Sequence, residues 1–289
     1  MPSIADWLIL LRQRLAAVSD SPALDAQVLL AHILERSRPW VLAHPEVSLP
    51  PNQEQALHLA LARLEKGQPL PYVIGHWEFY GLDLLVSPAA LIPRPETELL
   101  VEQGLAWLSD HPGPRWALDV GTGSGCIAIA LAANRPDLRT AACDLSLEAL
   151  KLAQRSVQKH HLGARVLLLQ ADLIPPTNLI FDLICANLPY IPTHKLSGLR
   201  VAQAEPVSAL DGGPDGLEVI RRLLARAPLA LAPQGLLLLE IEASQGEAAR
   251  ELAQAYFPQA QVEVLPDLAG HDRLVKVRQE RATPAIHAG

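Results

Sequence analysis

From Ile4 to about Gly67, apolar residues recur at intervals of three and four: Trp7, Leu8, Leu11 and Leu15, then Ala26, Leu29, Leu30 and Ile33, then Leu57, Leu61 and Leu64. That spacing lines up one face of a helix in each run. Ser21-Pro22 and Pro50-Pro51-Asn52 punctuate the runs where helices start. The pattern predicts a small helical bundle over residues 1–70, with no catalytic constellation of its own.

The periodicity then changes. Residues 71–92 are rich in Pro and Gly among aromatic and β-branched residues, and Trp77–Val86 reads as a hairpin turning near Gly81. This stretch is the expected linker. Ile92-Pro93-Arg94-Pro95-Glu96-Thr97-Glu98 leads into the helical spacing Leu99, Leu100, Gln103, with Glu96 or Thr97 near the helix start. Arg94, extended between two prolines, is placed to meet a carboxylate, either of a ligand or partner or within a structural salt bridge.

Beyond Pro114 short apolar runs alternate with helical ones. Strands are predicted at Trp116–Val120, Thr140–Cys143, Val166–Leu169, Phe181–Ala186, Gly235–Ile241, Val262–Val264 and Leu274–Val277. Helices are predicted at Cys126–Ala132, Leu147–His160 and Leu217–Ala227. Alternating strands and helices imply an α/β fold with a parallel sheet wound on both sides. The sheet domain is expected over residues 93–280, followed by a disordered tail, 281–289.

Composition narrows the function classes. The chain has 289 residues, 49% of them hydrophobic, enough for a sizeable core. No apolar stretch reaches the length of a membrane span and the amino end lacks the order of a signal peptide, so the cytoplasm is the expected compartment and no membrane partner is expected. Cys126, Cys143 and Cys185 are odd in number and scattered, which indicates neither a disulfide framework nor a zinc site, and no metal is expected. A formal charge of −7 argues against broad phosphate neutralisation, hence against stable nucleic-acid binding. A monomer is the expected state.

Two stretches carry candidate chemistry. Asn187-Leu188-Pro189-Tyr190 follows the apolar run that ends at Ala186, in the loop at the carboxyl end of a strand, where open α/β sheets bind ligands. Asn187 offers a carbonyl acceptor, Pro189 stiffens the loop so that a main-chain carbonyl is held outward, and Tyr190 supplies an aromatic face. Two fixed acceptors would grip a planar NH2, either of an amide or of a nucleobase; the alternative is a plain turn. The second stretch is Gly121-Thr122-Gly123-Ser124-Gly125, which brings backbone N–H groups close to a ligand. Cys126 departs from the dinucleotide fingerprint. Asp144, ~20 residues beyond the loop at the next strand end, suits a ribose diol and would repel a 2′-phosphate. Asp172 and Leu173, after the third strand, are placed to flank an adenine amine.

Glycine loop, Asp144, Asp172 and Asn187 on successive strand ends resemble the order found in S-adenosylmethionine-dependent methyltransferases. Asn187-Leu188-Pro189-Tyr190 resembles their Asn-Pro-Pro-Tyr motif. Phe79–Gly81, Leu91–Glu98, Asp119–Ala128, Ala209–Gly216 and Asp267–Arg273 together resemble the HemK/PrmC family of protein-glutamine methyltransferases acting on peptide chain release factors, over nearly the whole chain.

The resemblance implies a Rossmann-like methyltransferase sheet behind a helical substrate-recognition domain and a β-hairpin linker. It further implies methyl transfer to the glutamine of a release factor's Gly-Gly-Gln loop. In that reading Gly121–Gly125 lie along the methionine part, Asp144 binds ribose, and Asp172 and Leu173 border adenine. Asn187 and the Leu188 carbonyl hold the glutamine NH2, Tyr190 packs over the amide, and Arg94 and Glu96 belong to the closing loop. Leu188 and His271 depart from the family pattern, which normally has Pro and more often Arg there. Rivals are a ribosomal-protein glutamine methyltransferase, a DNA adenine methyltransferase and a cofactor-binding scaffold without catalysis.

Overall fold

The computed structural model describes residues 2–279. The expected tail 281–289 lies outside the described residues. The chain divides into two compact units, Met1–His76 and Trp77–Gly289.

In the first unit, helices span Ile4–Leu15, Pro22–Leu34, Arg38–Ala43, Pro51–Glu65 and Leu70–Ile74. Ser3 and Asp6 form a capping box at the first of these, and proline stands at the first turn of the other four. The helical spacing buries Trp7, Leu11, Leu15, Ala26, Leu29, Leu30, Leu57, Leu61 and Leu64. No helix among the described residues is long and apolar enough to cross a membrane.

The boundary between the units falls one residue into a hairpin, β1 (His76–Phe79) and β2 (Leu82–Leu85), which turns through Tyr80 and Gly81, both at positive φ. The remaining strands are β3 (Arg115–Val120), β4 (Leu138–Asp144), β5 (Val166–Gln170), β6 (Phe181–Ala186), β7 (Leu231–Glu240), β8 (Gln261–Pro266) and β9 (Asp272–Arg278). They form one seven-stranded sheet in the order β5-β4-β3-β6-β7-β9-β8. Leu183 and Cys185 of β6 and Leu236 and Leu238 of β7 enter one hydrophobic cluster; Ile184, Ala186, Leu237 and Leu239 enter the other. Burial on both faces is why these strands read as unbroken apolar runs.

The sheet is not wholly parallel, as the alternation suggested. β5, β4, β3, β6 and β7 are parallel, but β9 runs antiparallel between β7 and β8. A parallel connection needs a crossover of about a dozen residues or more. β8 and β9 are joined only by the turn 267–271, in which the Asp267 side chain accepts the N–H groups of Ala269 and His271. Helices that the sequence pattern left unassigned also form, among them the short helices Leu70–Ile74, Thr193–Leu196 and Val201–Ala204 and the helix Gly246–Tyr256.

Strand order positions the site. The chain winds from β3 outward to β4 and β5, then returns to the other side of β3 with β6. Such a reversal leaves a crevice at the carboxyl ends of the two central strands. Gly121 follows β3 there, and Asn187 follows β6.

Candidate functional site

The glycine loop is built on a buried carboxylate. Asp119, fully buried at the end of β3, accepts the Thr122 hydroxyl at 2.6 Å and the Ala128 N–H at 3.1 Å. Burial pushes its carboxyl up to about 7, while those two hydrogen bonds act downward. The N–H groups of Gly121 and Thr122 both reach the Cys143 carbonyl at 2.9 Å, tying the loop to β4. Gly121 and Gly123, at φ +71° and +55°, line a cavity of about 450 Å³. Thr122 and Ser124 are buried away from it, and Gly125 packs its Cα against the helix Leu147–Lys159. Only two of the five loop residues therefore face the cavity.

Asp144 is fixed at the lip. Its two oxygens accept the Gly123 N–H at 2.9 Å and the Ser146 N–H at 2.8 Å. Leu173 is buried at φ +64°, and its carbonyl accepts the Cys143 thiol. Asp172 lines the same cavity but is ion-paired with Arg222 at 2.5 Å, and Arg226 holds its carbonyl. Three cysteines lie buried and free, and burial pushes the Cys126 and Cys143 thiols up to about 12.

Asn187 lines this cavity and also a second one of about 250 Å³, shared with Leu91, Arg94, Tyr190 and Leu210. Its Nδ2–H donates to the Thr97 hydroxyl at 2.9 Å, which leaves the side-chain oxygen for the cavities. Leu188 is buried, and a Cβ on Gly121 would stand 2.9 Å from its Cδ2, so side chain and glycine loop pack together. Pro189 borders the larger cavity. The Tyr190 hydroxyl points at Glu240 Oε1, 3.5 Å away, and burial with that carboxylate pushes the phenol well above its ordinary value.

The loop 187–192 is clamped from behind. Ile191 N–H donates to the Leu210 carbonyl and Gly212 N–H to the Ile191 carbonyl, each at 2.9 Å, and Gln245 Nε2 holds the Tyr190 carbonyl at 2.9 Å. A Cβ on Gly212 would stand 2.8 Å from both the Pro189 oxygen and Tyr190 Cα. Arg94 ion-pairs with the buried Glu205, which also accepts the Ile92 N–H at 3.0 Å, so this arginine makes the structural salt bridge. Glu96 is exposed in the turn Pro95–Thr97 and lines neither cavity.

Thr97, Glu205, Glu240 and Gln245 were not singled out by sequence reasoning as site residues. Glu240 carried a signal: a carboxylate closing the apolar run Leu236–Leu239 is rarely buried without a task. The residues of the larger cavity fit a nucleoside. Its volume lies in the usual small-molecule range, two glycines open its floor to backbone approach, and a pinned carboxylate at its lip keeps lone pairs for a diol.

Residues 6–75 match the family described as PrmC N-terminal domain, and residues 97–204 the family described as methyltransferase small domain. The release factor glutamine methyltransferase of Moorella thermoacetica is 46% identical over 264 residues, covering 90% of this chain and 93% of that protein. The protein of the same description from Nitratidesulfovibrio vulgaris is 38% identical, with 94% of each chain covered. A solved methyltransferase from Pyrococcus furiosus is similar in fold alone, with a TM-score of 0.51 at 16% identity over 79% of this chain and 98% of that one.

Proposed function

Because this chain belongs to the release factor glutamine methyltransferase family, we propose that it transfers a methyl group from S-adenosylmethionine to the amide nitrogen of the glutamine in a release factor's Gly-Gly-Gln loop. The observation that carries this reading is Asn187, whose amide is fixed by Thr97 where a nucleoside-sized cavity and a smaller one meet. A nucleobase in the smaller cavity is the weaker alternative, given the net charge of −7. A ribosomal-protein substrate is disfavoured by the match of the front unit to the PrmC N-terminal domain. The cytoplasm, a monomeric state and no stable nucleic-acid partner complete the proposal.

When bound, S-adenosylmethionine supplies an electrophilic methyl group on a sulfonium sulfur. Asp144 would hold the ribose hydroxyls, with Gly121 and Gly123 beneath the methionine part and Leu173 against the adenine. Asp172 would reach an adenine amine only while sharing its charge with Arg222. On the substrate side, an amide nitrogen is a poor nucleophile because its lone pair is delocalised into the carbonyl. Asn187 Oδ1 and the Leu188 carbonyl would each accept one NH2 hydrogen, favouring the electron-rich, pyramidal nitrogen that develops during transfer. Leu188 keeps that carbonyl fixed through its buried side chain, which does for the loop what a second proline ring would do. Tyr190 would cover the amide and keep water from it, and Arg94 and Glu96 lie on the loop that borders the same cavity.

The direct test is incubation with labelled S-adenosylmethionine and a release factor, followed by mass spectrometric mapping; label anywhere but the Gly-Gly-Gln glutamine would refute the substrate. Asp144→Ala is expected to weaken S-adenosylmethionine binding tenfold or more, because a lost charge-assisted hydrogen bond is worth ~1.5–3 kcal/mol. Unchanged affinity in calorimetry would remove the ribose role.

The helical unit is proposed to recognise the protein around the glutamine, since one side chain offers few contacts for discriminating among proteins. Deleting residues 1–70 should leave S-adenosylmethionine binding in place and slow modification of an intact release factor, with little change on a short Gly-Gly-Gln peptide. Equal initial rates on the intact factor would reduce this unit to a structural cap.

A further inference from the structure

Glu205 is a buried carboxylate that belongs to neither of the two loops read from the sequence. It follows the helix Val201–Ala204, its side chain is 4% exposed, and its two oxygens accept the Ile92 N–H at 3.0 Å and an N–H of Arg94 Nη2. Stability alone gives no reason for a charge here, since apolar residues of similar volume often serve as well as a buried ion pair. Arg94 is the end of the pair that reaches the site: it lines the smaller cavity, and its side chain is 32% exposed. Pro93 and Pro95 flank it and its backbone is extended, at φ −98° and ψ 143°, so the freedom left to this residue is in its side chain. The pair with Glu205 runs through Nη2, while Nε and Nη1 carry further donors on the same rigid fork.

We propose that Glu205 is a positioning residue for the protein substrate: it holds the Arg94 guanidinium at the smaller cavity so that the remaining N–H donors meet a main-chain carbonyl beside the glutamine. The assignment rests on the substrate proposed above, and the chemistry of that substrate suits it. The two glycines before the glutamine carry no side chains, so their carbonyls lie open to a close donor. An arginine that is ordered only on binding gives up rotamer freedom at that moment, whereas one already tied to Glu205 has lost it in advance. The Ile92 N–H keeps the carboxylate from turning away, so this series of contacts is anchored on main chain.

Glu205→Gln is the informative variant. Its side-chain oxygen can still accept the Ile92 N–H, it no longer pairs by charge with Arg94, and it leaves no charge in the interior. Arg94→Met removes the donors but strands the Glu205 carboxylate where it is buried, which is strongly destabilising. Combining the two substitutions removes both charges and is expected to recover the stability that Arg94→Met loses.

The test is steady-state methyl transfer, at saturating S-adenosylmethionine, to an intact release factor and to a short Gly-Gly-Gln peptide. It is measured for wild type, Glu205→Gln, Arg94→Met and the pair, with folding followed by circular dichroism and cofactor affinity by calorimetry. The wild-type rate is measured first, since its absence on every glutamine amide would overturn the proposed function and this inference with it. Glu205→Gln is expected to raise KM for the release factor about tenfold with kcat and cofactor affinity within about threefold, the mark of lost uniform binding. The peptide should lose as much in kcat/KM, because Arg94 meets the chain beside the glutamine. Adding Glu205→Gln to Arg94→Met should raise KM no further, because residues acting as one unit are not additive. A folded Glu205→Gln enzyme with the wild-type KM, a loss that falls on kcat or on cofactor affinity instead, or a loss confined to the intact factor would overturn the proposal.

Discussion

Replacing Asn187 by alanine is expected to slow methyl transfer by about 10²–10³-fold, the usual cost of one preorganised polar group that acts on developing charge, ~2.7–4 kcal/mol. The loss should fall on the chemical step. Asn187 is held by Thr97 from inside the protein and meets the substrate through the oxygen left over, so its removal deletes an acceptor without altering Asp144 or the glycine loop. S-adenosylmethionine affinity should therefore stay within about threefold, since uniform binding and transition-state binding separate in this way. Single-turnover rates beside calorimetry decide the matter. A comparable fall in cofactor affinity would place Asn187 chiefly in the nucleoside site, and a near-normal rate would leave the amide without its principal acceptor.

Gly216→Ala is expected to destabilise the protein by roughly 2–5 kcal/mol, combining a left-handed backbone with overpacking that no rotamer relieves. Gly216 has φ +78°, and a Cβ there would overlap the Tyr190 carbonyl oxygen and stand 2.5 Å from Gln245 Nε2. That carbonyl is the one Gln245 holds, so the added methyl group breaks the clamp behind Asn187-Leu188-Pro189-Tyr190 as well as straining the turn. Gly270→Ala is the control: φ is +81°, but nothing lies within 4 Å of the added carbon. Denaturant melts should show a small loss for Gly270→Ala, about 1 kcal/mol from the backbone alone, and a much larger one for Gly216→Ala with transfer impaired. Equal losses would mean that the segment 210–216 does not brace the motif.

How far the site was legible depended on the kind of interaction. Asn187 and Asp144 announce themselves because a polar residue closing an apolar run has few reasons to be there, and both face the crevice. Thr122 and Ser124 sit in the same glycine loop yet are buried, Thr122 because its hydroxyl donates to Asp119 beneath the loop. Asp172 looked like Asp144 in sequence, but Arg222 and Arg226, fifty residues and more away along the chain, claim its side chain and carbonyl. Arg94 likewise finds Glu205, 111 positions on.

Local pattern by itself determined most of the elements. Helical spacing, proline at helix starts and continuous apolar runs depend on neighbours within one turn or one strand, so they survive reading one residue at a time. It also determined the composition of the two loops that face the crevice. Tertiary structure decided the rest, because direction and pairing are long-range. The turn 267–271 is too short for a crossover and makes β9 antiparallel. The reversal of strand order at β3 brings Gly121 and Asn187 to one crevice. Thr97, which in sequence is one more residue at a helix start, accepts the Asn187 amide N–H from 90 positions along the chain.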